Sequence, residues 1–251
     1  MSETVVMDLT HTYSADDFPP EEILAWIDCT EITGTNCYCD EEAQRQLCGL
    51  MTPYSAMGIH FIDSGNYHYL SKLWMDKVQE PFSLVLFDHH PDMQSPRFEG
   101  VLSCGGWVRS LLEEHPFLQQ VWLVGIDDAL IGETEGFADR LNVISEEEAL
   151  SFSSRGNNFF LTGKTDFLYE GGKIYISIDK DVLAPSEVHT NWNQGSLSMF
   201  QLRRQLEWIF SEAEVIGVDV CGEDPELGVA SQIAQNKALN RELCGFLAAF
   251  I

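Results

Sequence analysis

Phe82-Ser-Leu-Val-Leu-Phe87, followed at once by Asp88-His89-His90-Pro91-Asp92, is the stretch on which the reading of this chain turns. An apolar run this short and this dense reads as a strand buried on both faces, as in parallel sheets. Pro91 cannot donate to a ladder, so the strand must end there. Side chains alternate along an extended chain, which puts Asp88, His90 and Asp92 on one face and His89 and Pro91 on the other. The same design recurs twice. Lys173-Ile-Tyr-Ile-Ser-Ile178 runs into Asp179-Lys180-Asp181, and Val215-Ile-Gly-Val218 runs into Asp219, with Glu223 and Asp224 further on.

Three more runs read as strands: Val5–Leu9, Gly58–Ile62 and Val121–Gly125. Between the strands lie helical patterns at Glu41–Met51, Leu70–Val78, Gly106–Glu114, Glu146–Ser151, Ser198–Phe210 and Ala230–Ile251. Ser198 is placed to cap its helix, whose Phe200, Leu202, Leu206, Ile209 and Phe210 form one apolar stripe. Strand–helix alternation of this kind predicts an α/β fold with a mostly parallel sheet covered by helices on both faces. No repeat or linker divides the 251 residues, so residues 1–251 are expected to form one domain. Gly163, Gly171 and Gly172 read as turn residues, since no strand–glycine-rich loop–helix order surrounds them.

Composition limits the partners. The chain carries 40 acidic and 14 basic residues, a formal net charge of −26, and Arg45 is the one basic residue before Lys72. Such a surface repels phosphate backbones and anionic lipid, which argues against nucleic acid and membrane partners and favours cations and divalent metals. With 45% hydrophobic residues the chain can bury a core, so disorder is excluded. No apolar stretch reaches the length of a membrane span and the first residues lack a signal-peptide pattern, so a cytoplasmic location is expected. The seven cysteines, with Cys29, Cys37, Cys39 and Cys48 close together, do not have a usual zinc spacing and read as reduced thiols.

In parallel sheets, ligands bind beyond the carboxyl ends of the strands, where all three acid clusters fall. Carboxylates gathered at one point must take up protons or bind a cation. Asp-x-His-x-Asp with Asp-x-Asp offers hard oxygen donors and an imidazole, a mixture suited to Mn²⁺ and also to Fe²⁺, Co²⁺ or Zn²⁺. Four aspartates balance two divalent ions, which favours a binuclear site.

Taken together, these blocks resemble the ureohydrolases (arginase, agmatinase, formimidoylglutamase). Asp88-His89-His90-Pro91-Asp92 is similar to their Asp-x-His-x-Asp, and Ser177-Ile178-Asp179-Lys180-Asp181 to their Ser-x-Asp-x-Asp. Gly65-Asn66-Tyr67-His68 resembles their Gly-Gly-Asp-His turn, and Val218-Asp219-Val220 with Pro225 their last Asp-Val…Asn-Pro segment. The resemblance spans about Gly58 to Pro225. It implies a three-layer α/β/α sandwich, shared with deacetylase-type enzymes, that holds two Mn²⁺ ions bridged by hydroxide. By the same resemblance, His68, Asp88, Asp92 and Asp179 bind one metal, and His90, Asp88, Asp179 and Asp181 bind the other. The implied activity is hydrolysis of a C–N bond in a guanidino or amidino substrate, with Asp92 passing a proton to the leaving amine. The family also makes a homo-oligomer plausible.

The chain departs from the family at two points. Leu102-Ser-Cys-Gly-Gly-Trp107 has no shuttle histidine and offers Cys104 in its place. The substrate-pairing glutamate falls on Gly222, and a one-residue bulge would be needed to bring Glu223 to that position. Trp107 and Trp192 read either as pocket-mouth residues or as packing, His189 as a shuttle or a solvated loop residue, and His60 and Tyr69 as packing. A single-zinc amide hydrolase and a metal-binding protein without activity are the alternatives. The substrate expected is a small cationic guanidino compound or an arginine-containing peptide.

Overall fold

Runs of Val, Ile, Leu and Phe in this chain are short enough for strands and lie between longer amphipathic stretches that can cover them. A computed structural model describes residues 4–19, 23–98, 100–155 and 172–251, so the expected turns at Gly163 and Gly171 lie outside the described residues. The strands are β1 (Thr4–Asp8), β2 (Ile23–Asp28), β3 (Tyr38–Cys39), β4 (Ile59–Phe61), β5 (Phe82–Phe87), β6 (Leu102–Ser103), β7 (Leu118–Ile126), β8 (Leu141–Ser145), β9 (Lys173–Asp179) and β10 (Glu214–Cys221). The helices are α1 (Glu41–Met51), α2 (Leu70–Met75), α3 (Trp107–Glu114), α4 (Glu146–Arg155), α5 (Met199–Glu212) and α6 (Ala230–Leu247). Eight strands form one sheet in the order β2-β1-β4-β10-β9-β5-β7-β8, and each described pairing within it is parallel. β3 and β6 make a separate antiparallel pair.

Alternation along the strands divides the core into two layers. Leu84 and Leu86 of β5, Val121 and Leu123 of β7 and Val5 and Met7 of β1 pack with α1, α2 and α3 on one face. Val85 and Phe87, Trp122 and Val124, and Ile174, Ile176 and Ile178 pack with α5 and α6 on the other. The three-layer α/β/α expectation is met. Ser198 caps α5 as expected, accepting from Gln201 N while Gln201 Oε1 accepts from Ser198 N at 2.9 Å. Among the described residues no helix is long and apolar enough to cross a membrane.

Two strands of the eight-stranded sheet, β2 and β8, are absent from the sequence reading, as are the two-residue strands β3 and β6. β2 and β8 are both sheet edges; β8 (Leu-Asn-Val-Ile-Ser) mixes polar and apolar residues and is only partly buried, whereas β2 (Ile-Leu-Ala-Trp-Ile-Asp) does carry a continuous apolar run from Ile23 to Ile27. β10 runs on past Val218 to Cys221, which places Asp219 inside the sheet rather than beyond its end.

Gly217 shows how tightly β10 is clasped. A Cβ there would stand 2.4 Å from Ala56 O and 2.6 Å from the Tyr175 ring. Gly217→Ala should therefore cost about 1–3 kcal/mol by overpacking. Urea unfolding is the check, and an unchanged midpoint would contradict the packing described.

Candidate metal centre

The four middle strands of the sheet, β4, β10, β9 and β5, deliver their carboxyl ends to one edge. His68 arrives after β4 through the turn Gly65–Tyr67, Asp88 to Asp92 leave β5, and Asp179 and Asp181 leave β9. All six side chains line one cavity of about 230 Å³, with Cys37, Tyr38, Gln94, Cys104 and Trp192 in its wall. Three groups of donor atoms lie within 4.8 Å of one another: His68, Asp88 and Asp92; Asp88, His90 and Asp181; and His68, Asp179 and Cys221.

Each imidazole is aimed by a second contact. His68 Nε2 lies 2.8 Å from Ser177 Oγ. That leaves His68 Nδ1 facing Asp92 Oδ2 at 3.1 Å, Asp88 Oδ2 at 3.2 Å and Asp179 Oδ2 at 3.6 Å. His90 Nδ1 faces Asp181 Oδ2 at 2.9 Å and Asp88 Oδ1 at 3.5 Å. The carboxylates are steadied in turn. Asp88 accepts from His90 N at 2.6 Å, Asp181 from His89 N at 3.0 Å and Asp179 from Asp181 N at 2.9 Å. Asp92 adopts a φ of 49°, in the left-handed region, and its Oδ2 accepts from Trp107 Nε1 at 2.6 Å.

The electrostatics are those of crowded acids. Burial first, then repulsion from Asp88, pushes the Asp92 carboxyl up to about 7. Burial and the Asp88 charge raise Asp179, and burial with Asp179 and Asp88 raises Asp181. Burial acts to raise Asp88 as well, but hydrogen bonds from His68 and His90 prevail and hold it below the ordinary range. Burial opposes protonation of His90, yet hydrogen bonds to Asp181 and Asp88 push it up to about 12. Hard oxygens with two imidazoles, held in place and short of positive charge, suit Mn²⁺ or a similar divalent ion. Cys221, whose Sγ donates to Asp179 Oδ2 at 3.1 Å, adds one soft atom to the set. It was not among the expected ligands. The signal for it was its place at the end of β10, beside Asp179 at the end of β9.

The expected ligands His68, Asp88, His90, Asp92, Asp179 and Asp181 come together, and Cys104 joins the pocket wall. Glu223 does not. β10 stays in regular register with β9 from Gly217↔Tyr175 to Cys221↔Asp179, so no bulge carries Glu223 inward. Gly222 N and Glu223 N both donate to Asp63 O, and the Glu223 side chain pairs with buried Lys180 and with Asn240. Gly222 has a φ of 98°, and a Cβ on it would meet Asp179 Oδ1 at 2.5 Å, so that position has no room for a side chain. Asp219 is likewise withdrawn: it accepts from Tyr175 at 2.7 Å and contacts His60 Nδ1 at 2.8 Å inside the sheet. Trp107 is wholly buried against Asp92 rather than at the mouth, while Trp192 does line the pocket. His189 is not among the lining residues.

Comparison with known proteins follows the same outline. Residues 53–242 match the family model described as Arginase family. A Thermotoga maritima protein named only "Uncharacterized protein" is 30% identical over 175 residues, covering 68% of this chain and 60% of that relative, less than two thirds of its length. The proclavaminate amidino hydrolase from Streptomyces clavuligerus superposes with a TM-score of 0.67 at 15% identity, covering 100% of this chain and 93% of that one. Trypanosoma cruzi formiminoglutamase with Mn²⁺ superposes with a TM-score of 0.66 at 14% identity, over 97% and 93%. At these identities the two structures establish the shared fold.

Two outcomes are expected. Glu223→Gln leaves the Lys180 charge buried without its counter-ion, so stability should fall by about 3 kcal/mol. Chemical denaturation measures this, and pairing the change with Lys180→Met should recover much of it; a silent Glu223→Gln would contradict the ion-pair role. The second outcome concerns pH. The Asp92 carboxyl moves from an ordinary 3.8 to about 7 on folding. The folded chain therefore holds extra protons between those values, and their stabilisation is complete below 3.8 and lost as pH rises through about 7. The raised Asp179 and Asp181 act in the same direction. Thermal melts of metal-free protein should thus show falling stability from about pH 5 to about pH 7.5, and Mn²⁺ should relieve the loss by taking the protons' place. A metal-free protein that gains stability across that range would contradict the crowding.

Proposed function

The chain belongs to the arginase family, and from that premise we propose that it is a metal-dependent hydrolase that cleaves a C–N bond of a guanidino or amidino compound. The observation that supports this most is the convergence of six donors from three strand ends on one pocket. His68, Asp88, Asp92 and Asp179 would hold one Mn²⁺, and His90, Asp88, Asp179 and Asp181 a second, with Asp88 and Asp179 shared. Bound metals of this kind polarise a substrate and make water acidic enough to attack near neutrality. Asp92, a carboxylate beside the proposed metals, would take a proton and return it to the leaving amine. Trp107 holds Asp92 for that role through its 2.6 Å hydrogen bond.

The pocket wall supports a particular kind of substrate. Apart from the proposed ligands, the described residues that line it carry no charged side chain. Four aspartates neutralise two divalent ions, so recognition falls to Gln94, Ser103 and the partly exposed aromatic rings of Tyr38 and Trp192. Such rings take a delocalised cation on their faces. A guanidinium or amidinium with a neutral tail fits this wall better than one carrying a carboxylate, which would find no cation in it.

One observation favours a second reading, a metal-binding protein without turnover. In an ungapped match to the family's last segment the substrate-pairing glutamate falls on Gly222, where no side chain fits, and Glu223 is engaged with Lys180. The two readings are separated by assaying urea or ammonia release from agmatine, arginine and an arginine-containing peptide with Mn²⁺ added. Turnover is expected for at least one compound, agmatine above arginine, and Asp179→Ala should lower it by more than about 100-fold, beyond what loss of an outer-shell partner costs. Metal uptake with no turnover of any guanidino compound would leave the second reading standing.

A further inference from the structure

Two cysteines stand in the wall of the metal pocket and take no part in its ligand set. β3 and β6 pair antiparallel as Tyr38↔Ser103 and Cys39↔Leu102, and Cys37 and Cys104 are the residues that flank the end of this ladder. The contact is direct, with Cys104 N donating to Cys37 O at 2.9 Å. A disulfide needs the two Cα atoms about 4.4–6.8 Å apart, a separation that this backbone hydrogen bond between the two residues allows. Both side chains line the pocket, both are free thiols, and Cys37 is the less buried of the two. Cys37 also keeps a φ of 59°, a conformation that a residue with a Cβ holds only where its surroundings impose it.

We propose that Cys37 and Cys104 form a redox-active dithiol that closes to a disulfide across the pocket wall on reaction with a small-molecule disulfide, and reopens with excess thiol. The Cys37 thiolate attacks one sulfur of the small disulfide, forming a mixed disulfide and expelling one thiolate. The Cys104 thiolate then attacks Cys37 Sγ, forming the Cys37–Cys104 bond and expelling the second. Two protein thiols are oxidised, one small disulfide is reduced to two thiols, and the two protein protons end on those thiols.

The assignment of attacking and resolving sulfur has a physical basis. The Cys104 thiol hydrogen-bonds Cys37 and holds it below the ordinary thiol range against the effect of burial, while Cys104 is pushed up by the same contact. The more exposed, more acidic sulfur attacks first. Other thiols lack this setting: burial pushes Cys29 and Cys39 up to about 12, and Cys48 is exposed on α1. Closure removes two thiols from the wall and ties the segment before α1 to the segment before α3, so the reduced and oxidised pockets offer a ligand different walls. This chemistry does not depend on the hydrolase reading, which rests on the acids.

The test uses reduced full-length protein treated with oxidised glutathione. Remaining thiols are blocked with N-ethylmaleimide, and disulfides are mapped by mass spectrometry of a non-reducing digest. A peptide pair linked through Cys37 and Cys104 is expected as the main internal disulfide, and it should disappear with dithiothreitol. Cys104→Ser should trap glutathione on Cys37, and Cys37→Ser should leave Cys104 to the maleimide. Recovery of both Cys37 and Cys104 as maleimide adducts while Cys48 carries glutathione would overturn the proposal, as would a link from either to another cysteine. The wild-type map decides the matter even where a variant fails to fold. A protein that turns over no guanidino compound can still give the linked peptide, so this proposal and the hydrolase reading fail separately.

Discussion

Four aspartates, Asp88, Asp92, Asp179 and Asp181, share two imidazoles in a buried pocket, and that crowding of like charge is the constraint on which the rest depends. Carboxylates this close cannot all ionise without a compensating cation. In the metal-free chain burial and mutual repulsion raise Asp92, Asp179 and Asp181, and hydrogen bonds to Asp181 and Asp88 raise His90, so each of these groups favours its protonated form more than it does in water. A divalent ion would do the same work with less proton uptake. The fold makes this crowding unavoidable, because β5 and β9 are neighbours that point the same way and both end in acids.

Alternation along the chain sorts the charges near that site. In Asp179-Lys180-Asp181 the two acids face the pocket, while the lysine between them lies fully buried on the other side. There Lys180 meets Glu223, Asn240 and, through Glu223, Asn236. A buried cation this close to four carboxylates is thus committed to a separate acid. That commitment also explains why the Glu223 side chain is unavailable to the pocket. The space for a side chain at Gly222 is already taken by Asp179 and the Lys180 backbone.

Much of this was legible in the sequence. Phe82 to Phe87 reads as a buried strand because both of its faces are covered. Asp88, His90 and Asp92 follow beyond its end, and Asp92 reaches the pocket through a left-handed φ of 49° that a period of two does not encode. His68 was found through its resemblance to a family turn, since a histidine after a short strand carries no period of its own. What the sequence did not disclose depends on three-dimensional partners. β8 is an edge of mixed polarity, and β10 continues through a charged residue because His60 and Tyr175 satisfy Asp219 from neighbouring strands. The alliance of Glu223 with Lys180 spans 43 residues in sequence and leaves no local pattern. Trp107 was placed at the pocket mouth or in the core with equal reason, and only its hydrogen bond to Asp92 resolves its place.

The hydrolase proposal stands or falls with His68, Asp88, His90, Asp92, Asp179 and Asp181 acting as one metal centre. Its most direct test is anomalous diffraction at the manganese edge from crystals of Mn²⁺-loaded protein. Two peaks are expected in this pocket, bridged by the carboxylates of Asp88 and Asp179. Loaded crystals with no anomalous peak among these six side chains would contradict it.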